Sequence, residues 1–166
     1  MNIQKFTQKS VEAIQNCEKL AYEYGNQEID QEHLIVSLMR LDDSLIKNLL
    51  EKMNIDIDMF TEDCEQAINR RTKVSGDVKL YISQPLNKVF ICAEDEASQM
   101  GDSYVSVEHI FLALIKYANK AITDLFKKYK IDRNSFLQVL QTVRGNKNVT
   151  TDNPEATYDT LNKYGV

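Results

Sequence analysis

Read for its apolar positions, the chain breaks into eight stretches in which hydrophobic residues recur every three or four places. That is the period of an amphipathic helix and not the alternation of a half-buried strand. In the first stretch Val11, Ile14, Cys17 and Ala21 carry the stripe, and Leu20 and Tyr24 widen it. Thr7 stands before it as an N-cap, its hydroxyl placed to accept a free backbone N–H. Gly25 follows in the C′ position, where positive φ costs glycine little. Asp30 caps a second helix on Leu34, Ile35, Leu38, Met39 and Leu41. A third runs from about Asp43 to Met53 on Leu45, Ile46, Leu49 and Leu50. Beyond the Asn54–Ile55 turn, Asp56 or Asp58 caps a fourth that carries Phe60, Cys64, Ala67 and Ile68.

Four more helices are predicted near 83–100, 106–117, 119–130 and 132–144. Ser83 caps the first of these, and Pro85 falls in its opening turn, where a missing N–H is harmless. The stripes are Leu86/Val89/Phe90/Ala93/Ala97, Ile110/Phe111/Leu114/Ile115, Ile122/Leu125/Phe126 and Phe136/Val139/Leu140/Val143. Between the two sets, residues 71–81 have turn chemistry and no sustained period, so they read as a connection.

The two sets are copies. Gly25-Asn26-Gln27-Glu28-Ile29-Asp30-Gln31-Glu32-His33-Leu34 is echoed 76 positions on by Gly101-Asp102-Ser103-Tyr104-Val105-Ser106-Val107-Glu108-His109-Ile110. The offset holds without a gap from Phe6/Ile82 to about Asn69/Gly145, through identities such as Gln8/Gln84, Ala21/Ala97, Leu38/Leu114 and Phe60/Phe136. One supersecondary unit has been used twice. Two copies are too few for a solenoid, so the expected fold is all-α: two tandem four-helix repeats, related by pseudo-twofold symmetry and closed on each other. Repeat one spans 6–70, the connector 71–81 and repeat two 82–145, together one domain over 1–145. From 146 to 166 the chain reads as a linker, in which 155–164 has helical potential but little apolar surface for docking.

Composition narrows the chemistry. The 166 residues carry a net charge of −5, and the short basic runs Arg70-Arg71-x-Lys73 and Lys127-Lys128-Tyr129-Lys130 are flanked by acids, which disfavours nucleic acid as a partner. No apolar run approaches ~18 residues, and no leader-like apolar segment follows Met1, so the reading is a soluble cytoplasmic protein with no membrane contact. Cys17, Cys64 and Cys92 lack metal or redox spacing and read as reduced, buried thiols.

No reactive centre is legible. None of the five glycines stands in a phosphate-binding loop, so this stretch is not read as an ATPase. His33 and His109 each sit beside a glutamate at a helix start, but one histidine per repeat is not a zinc pair, and a shared packing role is expected. Glu32 and Glu108 fall in first turns, where a carboxylate complements the helix dipole; they also suit display to a cationic partner. No catalytic residue and no metal site is assigned. What is left is a seam between repeats, a common place for a groove that takes peptide.

At its doubled G-x-x-x-[IV]-x-x-E-H-[LI] signature the chain resembles the Clp amino-terminal repeat domain, found at the front of AAA+ unfoldases, and within it the branch of ClpB-type disaggregases. The segments GNQEIDQEHL, VSGDVKLYISQPLNKVFICAEDEASQMGDSYVSVEHIFLALI and NPEATYDTLNKYG carry the resemblance. It implies a monomeric non-catalytic domain, mobile on its linker above a homohexameric ring. ATP and Mg serve that ring and not this stretch, and a DnaK-type chaperone system is its partner. The implied task is to engage unfolded or aggregated polypeptide. The family points to a polar set, here Thr7, Asp102 and Glu108, and to an inter-repeat groove built largely from the helix that carries Phe90. Where well-known relatives have leucines this chain has Cys92, Glu96 and His109, so the implied groove is more polar. In the ClpC branch the domain resembles a docking site for adaptors and phosphorylated arginine, through glutamates matched here by Glu32 and Glu108. A spacer that only regulates the ring is the third reading.

Overall fold

The computed structural model describes residues 2–145 and 147–154; the 155–164 stretch read as a possible helix lies outside them. Among the described residues the chain forms α1 (Gln8–Tyr24), α2 (Gln31–Arg40), α3 (Leu45–Lys52), α4 (Ile57–Asn69), α5 (Gln84–Gln99), α6 (Val107–Lys116), α7 (Lys120–Lys128) and α8 (Arg133–Arg144). The fold is all-α, as the apolar period requires. Thr7 and Ser83 cap α1 and α5 by accepting the N–H groups of Ser10 and Leu86, and Asp56, not Asp58, caps α4. Helix α3 starts later than Asp43, which sits at φ 52°, outside helical space. Ser44 is the cap instead: its hydroxyl accepts Lys47 N–H at 3.2 Å and donates to Leu38 O at 2.6 Å.

Two very short strands escaped the sequence. β1 (Glu28–Ile29) pairs in parallel with β2 (Tyr81–Ile82), and Phe6 bridges Val105 in the same sense. These pairings are copies of each other under the 76-residue offset: Ile29 matches Val105, and Ile82 matches Phe6. The residue that leads into each repeat's first helix therefore pairs with the loop before the other repeat's second helix. Thr7 N–H donates to Val105 O at 2.9 Å, and Ser83 N–H donates to Ile29 O, also at 2.9 Å. This exchange locks the halves about the pseudo-twofold axis.

Helices α2 and α6 form the centre. Gln31 to Met39 and Val107 to Leu114 are buried without a break, because each helix is covered on every side. Phe60, Phe90, Phe111 and Phe136 fill the single core around them, with Phe111 and Phe136 ring centres 4.7 Å apart. Phe60 of repeat one meets Tyr129 of repeat two edge-on at 5.1 Å, so the core crosses the seam. A helix buried all round must pair its polar side chains internally. That requirement creates the networks described next.

The segment read as a linker does not leave the domain at Gly145. Val149 is fully buried in the core cluster, and Asp152 O accepts Gln8 N–H at 2.7 Å at the start of α1. Val149 and a set of backbone partners return a polar segment to the surface of the domain, and Pro154 beyond them is buried as well.

Candidate functional site

Each repeat carries a polar network where its first helix gives way to its second. Gly25 and Gly101 end the first helices at φ 73° and 72°, the left-handed region that suits glycine, and turn the chain toward Asn26 and Asp102. His33 and His109 then close capping boxes at the starts of α2 and α6. In each ring Nδ1 accepts the cap's backbone N–H at 2.9 Å, from Asp30 and Ser106 respectively. Nε2 therefore carries the ring hydrogen, which it donates to Asn26 Oδ1 at 2.9 Å in repeat one and to Asp102 Oδ2 at 2.6 Å in repeat two. Both histidines have the packing role expected of repeat-equivalent residues. Burial, reinforced by the Arg71 charge, pushes His33 down to about 4, so its ring is neutral.

In repeat one the acids gather around Arg71. Its guanidinium meets Glu32 Oε2 at 2.6 Å, Glu28 Oε1 at 2.5 Å and Asp30 Oδ2 at 3.2 Å. Glu32 is buried, and its other oxygen accepts Asn119 Nδ2 at 2.6 Å from the cap of α7. Burial alone would lower the Arg71 pKa, but the hydrogen bond and charge of Glu32, with Asp30 and Glu28, raise it overall. A cleft of about 510 Å³ opens beside this group between Asn26, Glu28, Arg70, Arg71 and Tyr81.

In repeat two the same task falls to Arg144. Its guanidinium contacts Asp102 Oδ1 and lies 3.4 Å from Glu108 Oε2, while its Nε donates to Lys147 O at 2.7 Å. Glu108 also accepts the Ser106 hydroxyl. Asp102 and Glu108 are fully buried as side chains. Burial raises the Asp102 pKa, but hydrogen bonds from His109, Arg144 and Val149 N–H outweigh it and hold the carboxyl below its ordinary value.

The structure thus brings Asp102, Glu108 and His109 into one network. Thr7 borders it, sharing a hydrogen bond with Ser10 Oγ at 3.0 Å and pairing its N–H with Val105. Phe90 and Cys92 lie apart on α5, both buried. Glu96, also buried, is clamped bidentately by Arg133 at 2.7 and 2.8 Å. Its charge is spent inside the α5–α8 contact. Glu32 belongs to the first network, with Arg71 and Asn119. Burial raises the thiol of Cys17 to about 12 and raises those of Cys64 and Cys92 as well, which leaves them poor nucleophiles.

Arg71, Arg133 and Arg144 were missed by sequence reasoning. The 76-residue alignment sets Arg71 against Lys147 and Arg144 against Ile68, so it hides the shared role. The signal that reveals it is a buried acid in each second helix, which demands a cation from somewhere. Among the described residues no three histidine, cysteine or acidic side chains gather into a metal-holding group, and no helix is long and apolar enough to cross a membrane.

Fold and networks together define a pseudo-twofold helical repeat domain that buries a polar network in each repeat. The chain belongs to the Clp repeat (R) N-terminal domain family, which matches residues 5–129. It is 39% identical over 169 residues to the chaperone protein ClpB of Clostridium tetani, covering 99% of this chain and 20% of that protein. It therefore spans about a fifth of the length of the curated relatives it matches. The Hsp104 N-terminal domain of Candida albicans superposes with a TM-score of 0.78 at 19% identity, over 91% of this chain and 99% of that one. A ClpV N-domain in complex with a VipB peptide superposes at 0.65 with 20% identity, over 84% of this chain and 89% of that one.

Proposed function

We propose that this chain is the non-catalytic amino-terminal domain of a ClpB-type disaggregase and that it engages unfolded or aggregated polypeptide at the inter-repeat groove, over the face that buried Thr7, Asp102 and Glu108 support from within. The similarity to ClpB over nearly the whole chain carries this reading. The ClpV N-domain of like fold, solved with a peptide, supports peptide binding as its mode. In this reading ATP and Mg bind elsewhere in a longer homohexameric protein, a DnaK-type system delivers substrate, and the domain is a cytoplasmic monomer when cut free.

Affinity is expected to be weak. Cys92, Glu96 and His109, where the resemblance implies leucines, are buried, and Glu96 and His109 are already paired, so the exposed surface gains little apolar area over the cost of ordering a ligand. An NMR titration of the 15N-labelled chain with reduced, carboxymethylated casein tests the reading. Shifts confined to Thr7–Ser10, Phe90–Ala97 and Val105–Phe111 are expected, and their absence at high casein concentration would sink it.

Docking of an adaptor or of phosphorylated arginine through Glu32 and Glu108 is the lesser reading. Both carboxylates are buried and already matched by Arg71 and Arg144, so a cationic ligand would have to displace a guanidinium from within. A pull-down that returns one folded protein in stoichiometric amount, lost on Glu32→Ala, would favour it.

A further inference from the structure

The fourth helices of the two repeats hand the chain on in the same way, although their sequences do not align there. After α4, Thr72 O accepts Asn26 Nδ2 at 3.0 Å, and Val74 N–H donates to Gly25 O at 2.8 Å. After α8, residues 147–152 cross the matching face of repeat two. Gly101 O accepts Asn148 Nδ2 at 3.3 Å, Asp102 Oδ1 accepts Val149 N–H at 2.9 Å, and Val149 O accepts Ser103 N–H at 2.8 Å. The run ends on α1, where Gln8 donates its N–H to Asp152 O at 2.7 Å and its Nε2 to Asp152 Oδ2 at 3.2 Å. The first strap continues into β2 and is held by folded structure on both sides. The second follows α8 and, within the described residues, ends against the start of α1, with Pro154 buried beyond it.

We infer that the slot between the Gly101–Val105 loop and the amino end of α1 is a binding site for extended polypeptide, filled in this chain by residues 147–152 and open to exchange with a strand from another chain. Its contacts fall mainly on backbone. The slot offers the N–H groups of Ser103 and Gln8 and the carboxylate of Asp102, and it takes one β-branched apolar side chain. Such contacts read an extended backbone with a single apolar residue and are nearly blind to the rest of the sequence.

The resident segment is a weak occupant. Val149 is buried, while Lys147, Asn148, Thr150, Thr151 and Asp152 are exposed. Ordering these residues costs more backbone freedom than one valine recovers by burial. The segment prevails because its tether gives it a high effective concentration, and a ligand that matches that concentration replaces it. The inference rests on the proposed engagement of polypeptide, and it specifies how the Thr7–Asp102–Glu108 face is closed and opened.

The test uses the full chain as wild type, Val149→Asp and Val149→Gly. A fluorescein-labelled peptide of residues 147–154 is titrated by anisotropy, and amide exchange at Ser103 and Gln8 is read on the same samples. Both amides should exchange at least about tenfold faster in the variants. The peptide should bind both variants about tenfold or more tighter than wild type, and restore protection at Ser103. Unchanged exchange in Val149→Gly, equal peptide affinity for all three proteins, or binding that leaves Ser103 unprotected overturns the slot. Carboxymethylated casein is run in parallel. Casein that binds all three proteins alike overturns the slot while polypeptide engagement stands. Casein that binds none removes that wider reading, and the peptide result then decides the slot by itself.

Discussion

Asp102 stands in repeat two where Asn26 stands in repeat one, and each accepts the Nε2 hydrogen of its own repeat's capping histidine. The substitution of a carboxylate for an amide changes what else the position can hold. Asn26 directs its Nδ2 to a connector carbonyl, whereas Asp102 accepts from Arg144 and from Val149 N–H. One added negative charge thus turns a turn residue into a hub that ties α6, α8 and the exit segment together.

Asp102→Asn is therefore not a silent exchange. An amide has one acceptor oxygen for three donors, and buried Arg144 loses the carboxylate charge of Asp102 while that of Glu108, 3.4 Å away, remains. A loss of about 2–3 kcal/mol is expected, below the full cost of breaking a buried pair because Glu108 stays. Guanidinium chloride midpoints of the two proteins check this. An unchanged midpoint would mean that the carboxylate is dispensable to the fold.

Arg71 answers three acids, and Arg71→Met should cost about 3 kcal/mol because Asp30 and Glu32 stay buried with no cation beside them. Arg71→Lys recovers only part of the loss, since an ammonium cannot span Glu28 and Glu32 with a planar fork. Thermal melts at pH 7 should rank wild type above lysine above methionine. Equal loss for both variants would contradict the geometry.

The Glu96–Arg133 pair behaves differently because Arg133 is 42% exposed as a side chain while Glu96 is 3% exposed. Arg133→Met alone should cost about 1–2 kcal/mol, moderated by water reaching the freed carboxylate. Adding Glu96→Leu should recover most of that, since an apolar pair of similar volume needs no counter-charge. Urea unfolding of both variants measures it. A double variant less stable than the single would show that the pair's geometry matters beyond its charge balance.

Acid should act through His33. Its folded pKa lies at about 4 against 6.5 in the unfolded chain, because burial and Arg71 disfavour the imidazolium. Between those values the unfolded state binds the extra proton, so stability rises with pH. The contribution is complete above 6.5 and is lost as pH falls toward about 4, amounting to about 3 kcal/mol at most. Urea titrations at neutral pH and near pH 5 should show the slope. NMR should show the His33 ring staying neutral to well below 6.5; a ring that titrates there would remove the effect.

Much of this architecture was legible beforehand. Helical period, the caps at Thr7, Asp30 and Ser83, and the repeated Gly25/Gly101 and His33/His109 positions depend on neighbours within a turn or two, and local patterns record local physics. The boundary of α3 was missed by a residue or two because Asp43 and Ser44 both cap well in isolation, and only Leu38 O selects the serine.

What the chain alone determined is the duplicated helical unit, because each helix is specified by residues three and four apart. Only the tertiary structure decided that β1 pairs with β2 and Phe6 with Val105, which guanidinium answers which acid, and that Val149 returns to the core. Those contacts join residues far apart in sequence, and a polar residue carries no mark of its partner. Charge balance in a buried space is satisfied by whichever arginine the folded backbone brings near.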